Sequence, residues 1–179
     1  MNKQFVTFPP KAVSRELYLI GFRLDPTAEG PQFYTLIGVD DGSECPITRG
    51  DRILFFRTPD DALKALVASD NGFRDVRPLP TELELLCDIG EALYVANAEK
   101  ADSDGLLFEV IAVFDDLLRA VKLNVPDEYA AVLGAVAGRL HDTPEFATFL
   151  EENGLSREKL EDALMWCVGA VSVKSSWVG

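Results

Sequence analysis

One histidine and three cysteines are all that 179 residues offer to zinc or thiolate chemistry. The histidine, His141, stands beside Asp142, but an HD-type metal site, an HExxH zinc site and paired ExxH di-iron sites all need further histidines and are excluded. Cys45, Cys87 and Cys167 are odd in number, widely spaced and without a CxxC pair, which argues against a disulfide framework or a thiolate-rich zinc centre. Cys87 and Cys167 fall among apolar residues and read as small hydrophobes. Cys45 sits in the turn-like Gly42-Ser43-Glu44-Cys45-Pro46, whose acids make it a poor nucleophile. With a single histidine and no G-x-S-x-G elbow, a Ser/His or Cys/His triad has no support, and His141 reads as a helix C-terminal residue favoured by the dipole.

Phosphate-binding loops are missing too, since neither G-x-x-x-x-G-K-[ST] nor G-x-G-x-x-G occurs. Gly134-Ala135-Val136-Ala137-Gly138 has small-xxx-small spacing, which in a soluble helix means close approach of a neighbour. The longest apolar run, residues 163–173 (ALMWCVGAVSV), is far shorter than the ~20 residues of a spanning helix. The first sixteen residues contain two lysines but no apolar core segment and no small-residue cleavage site, so no secretory signal is expected and the expected location is cytoplasmic.

Basic residues are scarce and unevenly placed. Of the net charge of −13, residues 1–78 carry −1 (10 Lys+Arg, 11 Asp+Glu) and the rest −12 (7 against 19). Between Glu82 and Asp116 stand ten carboxylates and one cation, Lys100. With an isoelectric point near 4.4, the chain repels nucleic-acid backbones and attracts basic partners. An apolar content of 47% is enough for a real core in one domain or two tightly packed subdomains.

Residues 16–57 are strand-like. ELYLIGFRL and QFYTLIGV flank the turn-rich Asp25-Pro26-Thr27-Ala28-Glu29-Gly30-Pro31, and a third run, RILFFR, follows the turns at Asp40-Asp41-Gly42-Ser43 and Arg49-Gly50-Asp51. The Asp40–Glu44 turn lacks the alternating spacing of a calcium loop. Thr58-Pro59-Asp60-Asp61 is a helix start, with Thr58 as N-cap and Ala62, Leu63, Leu66 and Val67 as apolar stripe up to Asn71-Gly72. Residues 73–77 suggest a fourth strand, and Pro78-Leu79-Pro80 a joint.

After Thr81 the pattern reads as helix throughout. Residues 81–98 place Leu83, Leu86, Cys87, Gly90, Leu93 and Tyr94 on one face and Glu84, Asp88 and Glu91 on another. Residues 105–122 follow, with Leu107, Val110, Ile111, Phe114, Leu117, Leu118 and Val121 in register. Three further helices start at Pro126, Thr143 and Ser156, burying Tyr129, Leu133, Val136 and Leu140, then Phe146, Phe149 and Leu150, then Leu160, Leu164, Cys167, Val168 and Val171. The expected fold is α+β: an N-terminal antiparallel sheet of three to four strands with one helix (1–78), followed by an acidic bundle of about five helices packed on it (81–179).

Three carboxylates on one helical face cost helix stability unless something compensates. Glu84, Asp88 and Glu91, with Glu109 and Asp116 on the next helix, are therefore the candidate partner-binding residues. No catalytic residue, cofactor or metal is expected, and Arg49, Arg52, Arg57, Arg74 and Arg77 are expected to neutralise carboxylates across the sheet and helix interface. The resulting expectation is a non-enzymatic cytoplasmic interaction module that presents an acidic helical face to a basic protein, immunity- or antitoxin-like by analogy of size and charge. It binds neither nucleic acid nor membrane. The alternative is a small-ligand-binding protein or divalent-metal-assisted enzyme with a pocket between sheet and helices. A homodimer formed through the apolar tail, residues 166–179 with Trp177, is a third reading.

Overall fold

The structure is a computed structural model that describes residues 15–97, 105–139 and 146–179. His141 and Asp142 lie outside them. The protein is α+β, with a seven-stranded mixed sheet and six α-helices among the described residues. In chain order these are β1 (Arg15–Arg23), β2 (Phe33–Asp40), β3 (Ser43–Pro46), β4 (Thr48–Arg49), β5 (Arg52–Phe56), a 3-10 turn at Pro59–Asp61, α1 (Ala62–Ala68), β6 (Leu83–Asp88), α2 (Ile89–Asn97), α3 (Leu106–Ala120), α4 (Asp127–Ala137), α5 (Phe146–Glu152), α6 (Arg157–Val173) and β7 (Ser175–Val178).

The strands run in the order β4-β5-β2-β1-β6, with β3 also on β2 and β7 also on β5. β1 and β2 pair antiparallel from Arg15↔Asp40 to Phe22↔Phe33. Strand alternation sends their side chains to two different cores. Leu17, Leu19, Leu36, Leu54 and Phe56 pack with Ala62, Ala65, Leu66 and Phe73 on one face, under α1. Ile20, Phe22, Ile37, Ile53 and Phe55 face the large core shared with α2, α3, α4 and α6. The sheet is therefore the middle layer. Within the large core, Leu107, Val110, Ile111, Phe114, Leu117, Leu118 and Val121 of α3 and its C-cap are all buried, as their periodicity requires. Ser156 caps α6, its hydroxyl accepting from the Lys159 amide at 3.1 Å.

Two strands come from the part read as purely helical. Residues 83–88 form β6, not a helix, and pair parallel with β1. Glu82-Leu83-Glu84-Leu85 has period two, and β1 has a second edge to pair with, which outweighs the helical spacing of Leu83, Leu86 and Cys87. Leu83 is accordingly exposed, and Tyr94 is also exposed on α2. The tail forms β7, parallel to β5, so the sheet is mixed and not antiparallel. Trp177 of β7 lies edge-on to Phe33, with ring centroids 5.4 Å apart, and 5.8 Å from Phe55. Residues 73–77 form a turn and not a fourth strand. Phe73 instead covers Gly38, where any Cβ would lie about 2.5 Å from its ring atoms. Gly90 is similarly constrained at the start of α2, because a Cβ there would collide with the Leu24 carbonyl.

Candidate functional site

A groove of about 390 Å³ lies between α3 and the sheet. Its apolar surface comes from Tyr18 and Ile20 of β1, Ile37 of β2, Leu85 of β6, and Phe108, Ala112 and Val113 of α3. Around it stand Glu44 of β3, Glu84 of β6, and Glu109 and Asp116 of α3. α3 is amphipathic, and its buried stripe anchors it on the core while Phe108 and Glu109 stay exposed at the groove. In β6 the register shifts between Leu19↔Leu83 and Ile20↔Leu85, so one extra residue, Glu84, is inserted. A bulge of this kind re-aims a side chain, and Glu84 and Leu85 both reach the groove.

The five candidate acids separate into two groups. Glu84, Glu109 and Asp116 come together at the groove. Asp88 and Glu91 do not, and the single helical face expected for Glu84, Asp88 and Glu91 does not exist, because the first two are on a strand. Asp88, at the end of β6, forms an ion pair with Arg23 of β1 and accepts from the Glu91 amide at 3.1 Å. Asp88 and the charge of Glu91 both favour the Arg23 cation and raise its pKa, the hydrogen bond that Arg23 donates to Asp88 contributing most. These two acids thus serve the β6–α2 junction.

Asp116 is buried and ion-paired with Arg119, which also reaches Asp115 at 3.6 Å. Glu44, Glu84 and Glu109 are exposed and, among the described residues, take part in no ion pair. The charges of Glu84 and Glu44 are felt at Tyr18. Its hydroxyl donates to the Glu16 carboxylate at 2.6 Å, and its pKa is raised above 10.0 by that bond and charge first, then by burial and the charges of Glu84 and Glu44. Tyr18, Glu44, Leu85 and Phe108 were not among the sequence candidates. The Glu82-Leu83-Glu84-Leu85 alternation is the signal that would have put Leu85 and Glu84 on a strand.

The sheet-side arginines do not neutralise carboxylates as expected. Arg52 donates to the Val173 and Ser175 carbonyls, Arg74 to that of Ser69, Arg77 to those of Arg74 and Val76, and Arg57 lies 5.1 Å from the centre of the Trp177 ring. No ion pair links these four or Arg49 to an acid among the described residues. Arg52, Arg74 and Arg77 hold chain segments together through backbone acceptors.

Two further cavities are apolar. One of about 300 Å³ opens between α3 and α4, with Ile111, Phe114, Leu133, Gly134 and Cys167 among its lining. A smaller one, about 120 Å³, is lined by Phe22, Phe33, Phe55, Ser172 and Trp177. The described residues include no group of three or more His, Cys, Asp or Glu able to hold a metal ion, and no helix long and apolar enough to cross a membrane. Chemically, the groove offers carboxylates and aromatic surface to a cation.

No protein-family model matches the chain, and no curated protein matches its sequence. In structure it is similar to the SatS C-terminal domain, solved as a crystal structure in complex with bromine, with a TM-score of 0.60 and 12% identity over 90% of this chain and 94% of that one. At that identity the likeness is one of fold.

Proposed function

We propose that the protein is a non-enzymatic cytoplasmic interaction module whose groove between α3 and the sheet receives a basic, partly apolar segment of a protein partner. One observation carries the reading: Glu44, Glu84 and Glu109, from β3, β6 and α3, converge on one apolar groove, with no ion-pair partner among the described residues. Such carboxylates steer a cationic partner and accept its Lys or Arg side chains, while Tyr18, Leu85 and Phe108 supply area and cation–π faces. An immunity- or antitoxin-like neutralisation of a basic toxin is one form of this role. The test is titration with a lysine-rich apolar peptide at several salt concentrations. The combined Glu44→Gln, Glu84→Gln and Glu109→Gln protein should bind at least about tenfold more weakly and with a flatter salt dependence. Neutralising three exposed acids elsewhere, Asp41, Glu151 and Glu152, should change binding far less. Equal loss in both variants would overturn the groove as the site.

A second reading, a small-ligand-binding protein, is favoured by the apolar cavity between α3 and α4. Its ligand would be neutral and apolar. Saturable binding of a neutral fluorescent probe, lost on Gly134→Leu, would support it. The metal-assisted version predicts a melting temperature that climbs with Mg²⁺, Ca²⁺ or Mn²⁺ concentration.

A further inference from the structure

β6 closes the sheet on one side. It pairs with β1 and, among the described residues, with no strand on its other edge. Its exposure shows where that edge is open: Leu83 and Glu84 are exposed, Leu85 and Leu86 are half-buried, and Cys87 and Asp88 are buried. Alternate N–H and C=O groups of an edge strand point away from the sheet, a template for an added extended chain. Natural edges are blunted by lysine, proline or bulges; β6 contains neither lysine nor proline, and beyond its one bulge, at Glu84, it pairs regularly with β1 from Leu85 onward.

We propose that the partner segment adds to the sheet as an extended strand along residues 83–86, with its cationic side chains on the groove side. This rests on the reading of the groove as a partner surface and specifies how that surface is used. Charge complementarity selects the occupant. Glu82 and Glu84 flank the open edge, and Glu109 faces it across the groove, so a strand with Lys or Arg at alternate positions sets cations against carboxylates. The intervening positions meet Leu83 and Leu86. An acidic strand is repelled. A second copy of β6 is repelled for the same reason, because it would bring its own Glu82 and Glu84 against these.

The experiment compares two acetylated and amidated six-residue peptides of alternating lysine and valine, identical except that one is N-methylated at alternate backbone amides. Both are titrated calorimetrically into the full chain at low salt. N-methylation leaves charge and side chains intact and removes the donors a strand needs. The expected result is at least tenfold weaker binding of the methylated peptide. Binding of the unmodified peptide should also slow amide exchange at residues 83–86, and Glu84→Gln should weaken it. Equal binding of the two peptides would overturn strand addition and leave the groove reading standing. Binding of neither would remove both.

Discussion

Arg23 and Asp88, 65 residues apart, join the end of β1 to the end of β6, with Arg23 Nε donating to Asp88 Oδ2 at 3.0 Å. The other carboxylate oxygen, Oδ1, accepts from the Glu91 amide in the first turn of α2 at 3.1 Å. A single side chain therefore ends a strand, caps a helix and closes an ion pair. Asp88 is 5% exposed, so its replacement also leaves polar groups short of partners in a tight space. Asp88→Ala is expected to lose about 1 kcal/mol from the cap alone, and more from the orphaned Arg23. Asp88→Asn keeps the cap acceptor and should cost less. Urea unfolding of the two variants measures the difference.

Gly38 and Phe73 form a second constraint. With ring atoms about 2.5 Å from where a Cβ would sit, Gly38→Ala forces Phe73 off its site and should destabilise by about 1–3 kcal/mol. Phe73 is 4% exposed, and Phe73→Ala should cost about 3–5 kcal/mol. The double variant should be much less than additive, because removing the ring makes room for the methyl group. Additive costs would show that the two residues act separately.

Tyr18 is a built-in reporter of the groove's field. Its pKa is raised, so the folded state holds the phenolic proton more tightly than the unfolded chain and the associated stability is lost as pH climbs above about 10. Glu16→Gln should lower this pKa most, since it removes the accepting carboxylate; Glu84→Gln and Glu44→Gln should lower it by smaller amounts. Difference absorbance of tyrosinate during alkaline titration reads the shift. A cationic peptide in the groove should lower it as well.

The thiols should differ sharply in reactivity. Burial pushes the Cys167 pKa up to about 12, and that of Cys87 is also raised, by burial first and then by the charges of Asp88 and Glu109. Neither is a thiolate near neutral pH. Cys45 is half-buried, its sulfur 3.1 Å from the Asn71 amide nitrogen. A thiol reagent at pH 8 should modify at most Cys45 in the native protein and all three cysteines in denaturant.

At the acid end, Asp25, Asp51 and Asp61 are held below the ordinary 3.8, by Thr27, by Lys174, and by Lys64 with Thr58 respectively. Carboxylates depressed in the folded state contribute stability above their unfolded pKa, and it is lost as pH falls through the folded value. The urea midpoint should therefore decline as pH is lowered below about 4. Thr27→Val should reduce Asp25's part of that decline, because it removes the hydroxyl bond and leaves the Thr27 backbone amide donating to Asp25.

Much of the architecture is written locally. The alternation in β1, β2 and β5 and the wide apolar stripe of α3 appear in the sequence because each element must bury one side whatever it packs against. Ser156 and Asn153-Gly154 mark helix ends by backbone chemistry alone, and Gly154 has φ +64°. The absence of a His-rich or phosphate-loop motif, and the concentration of charge after Pro78, are likewise properties of composition.

Residues 83–88 were ambiguous, because Leu83, Leu85, Leu86 and Cys87 satisfy both periods over so short a run. The open edge of β1 settled them as a strand, and that one choice dissolved the acidic helical face. It sent Asp88 to Arg23 and turned Glu84, through a bulge, toward Glu109 and Glu44. The number and sign of the charges are thus a matter of sequence. Which carboxylates share a groove depended on long-range strand pairing, whose energy comes from a partner more than sixty residues away and has no local signature.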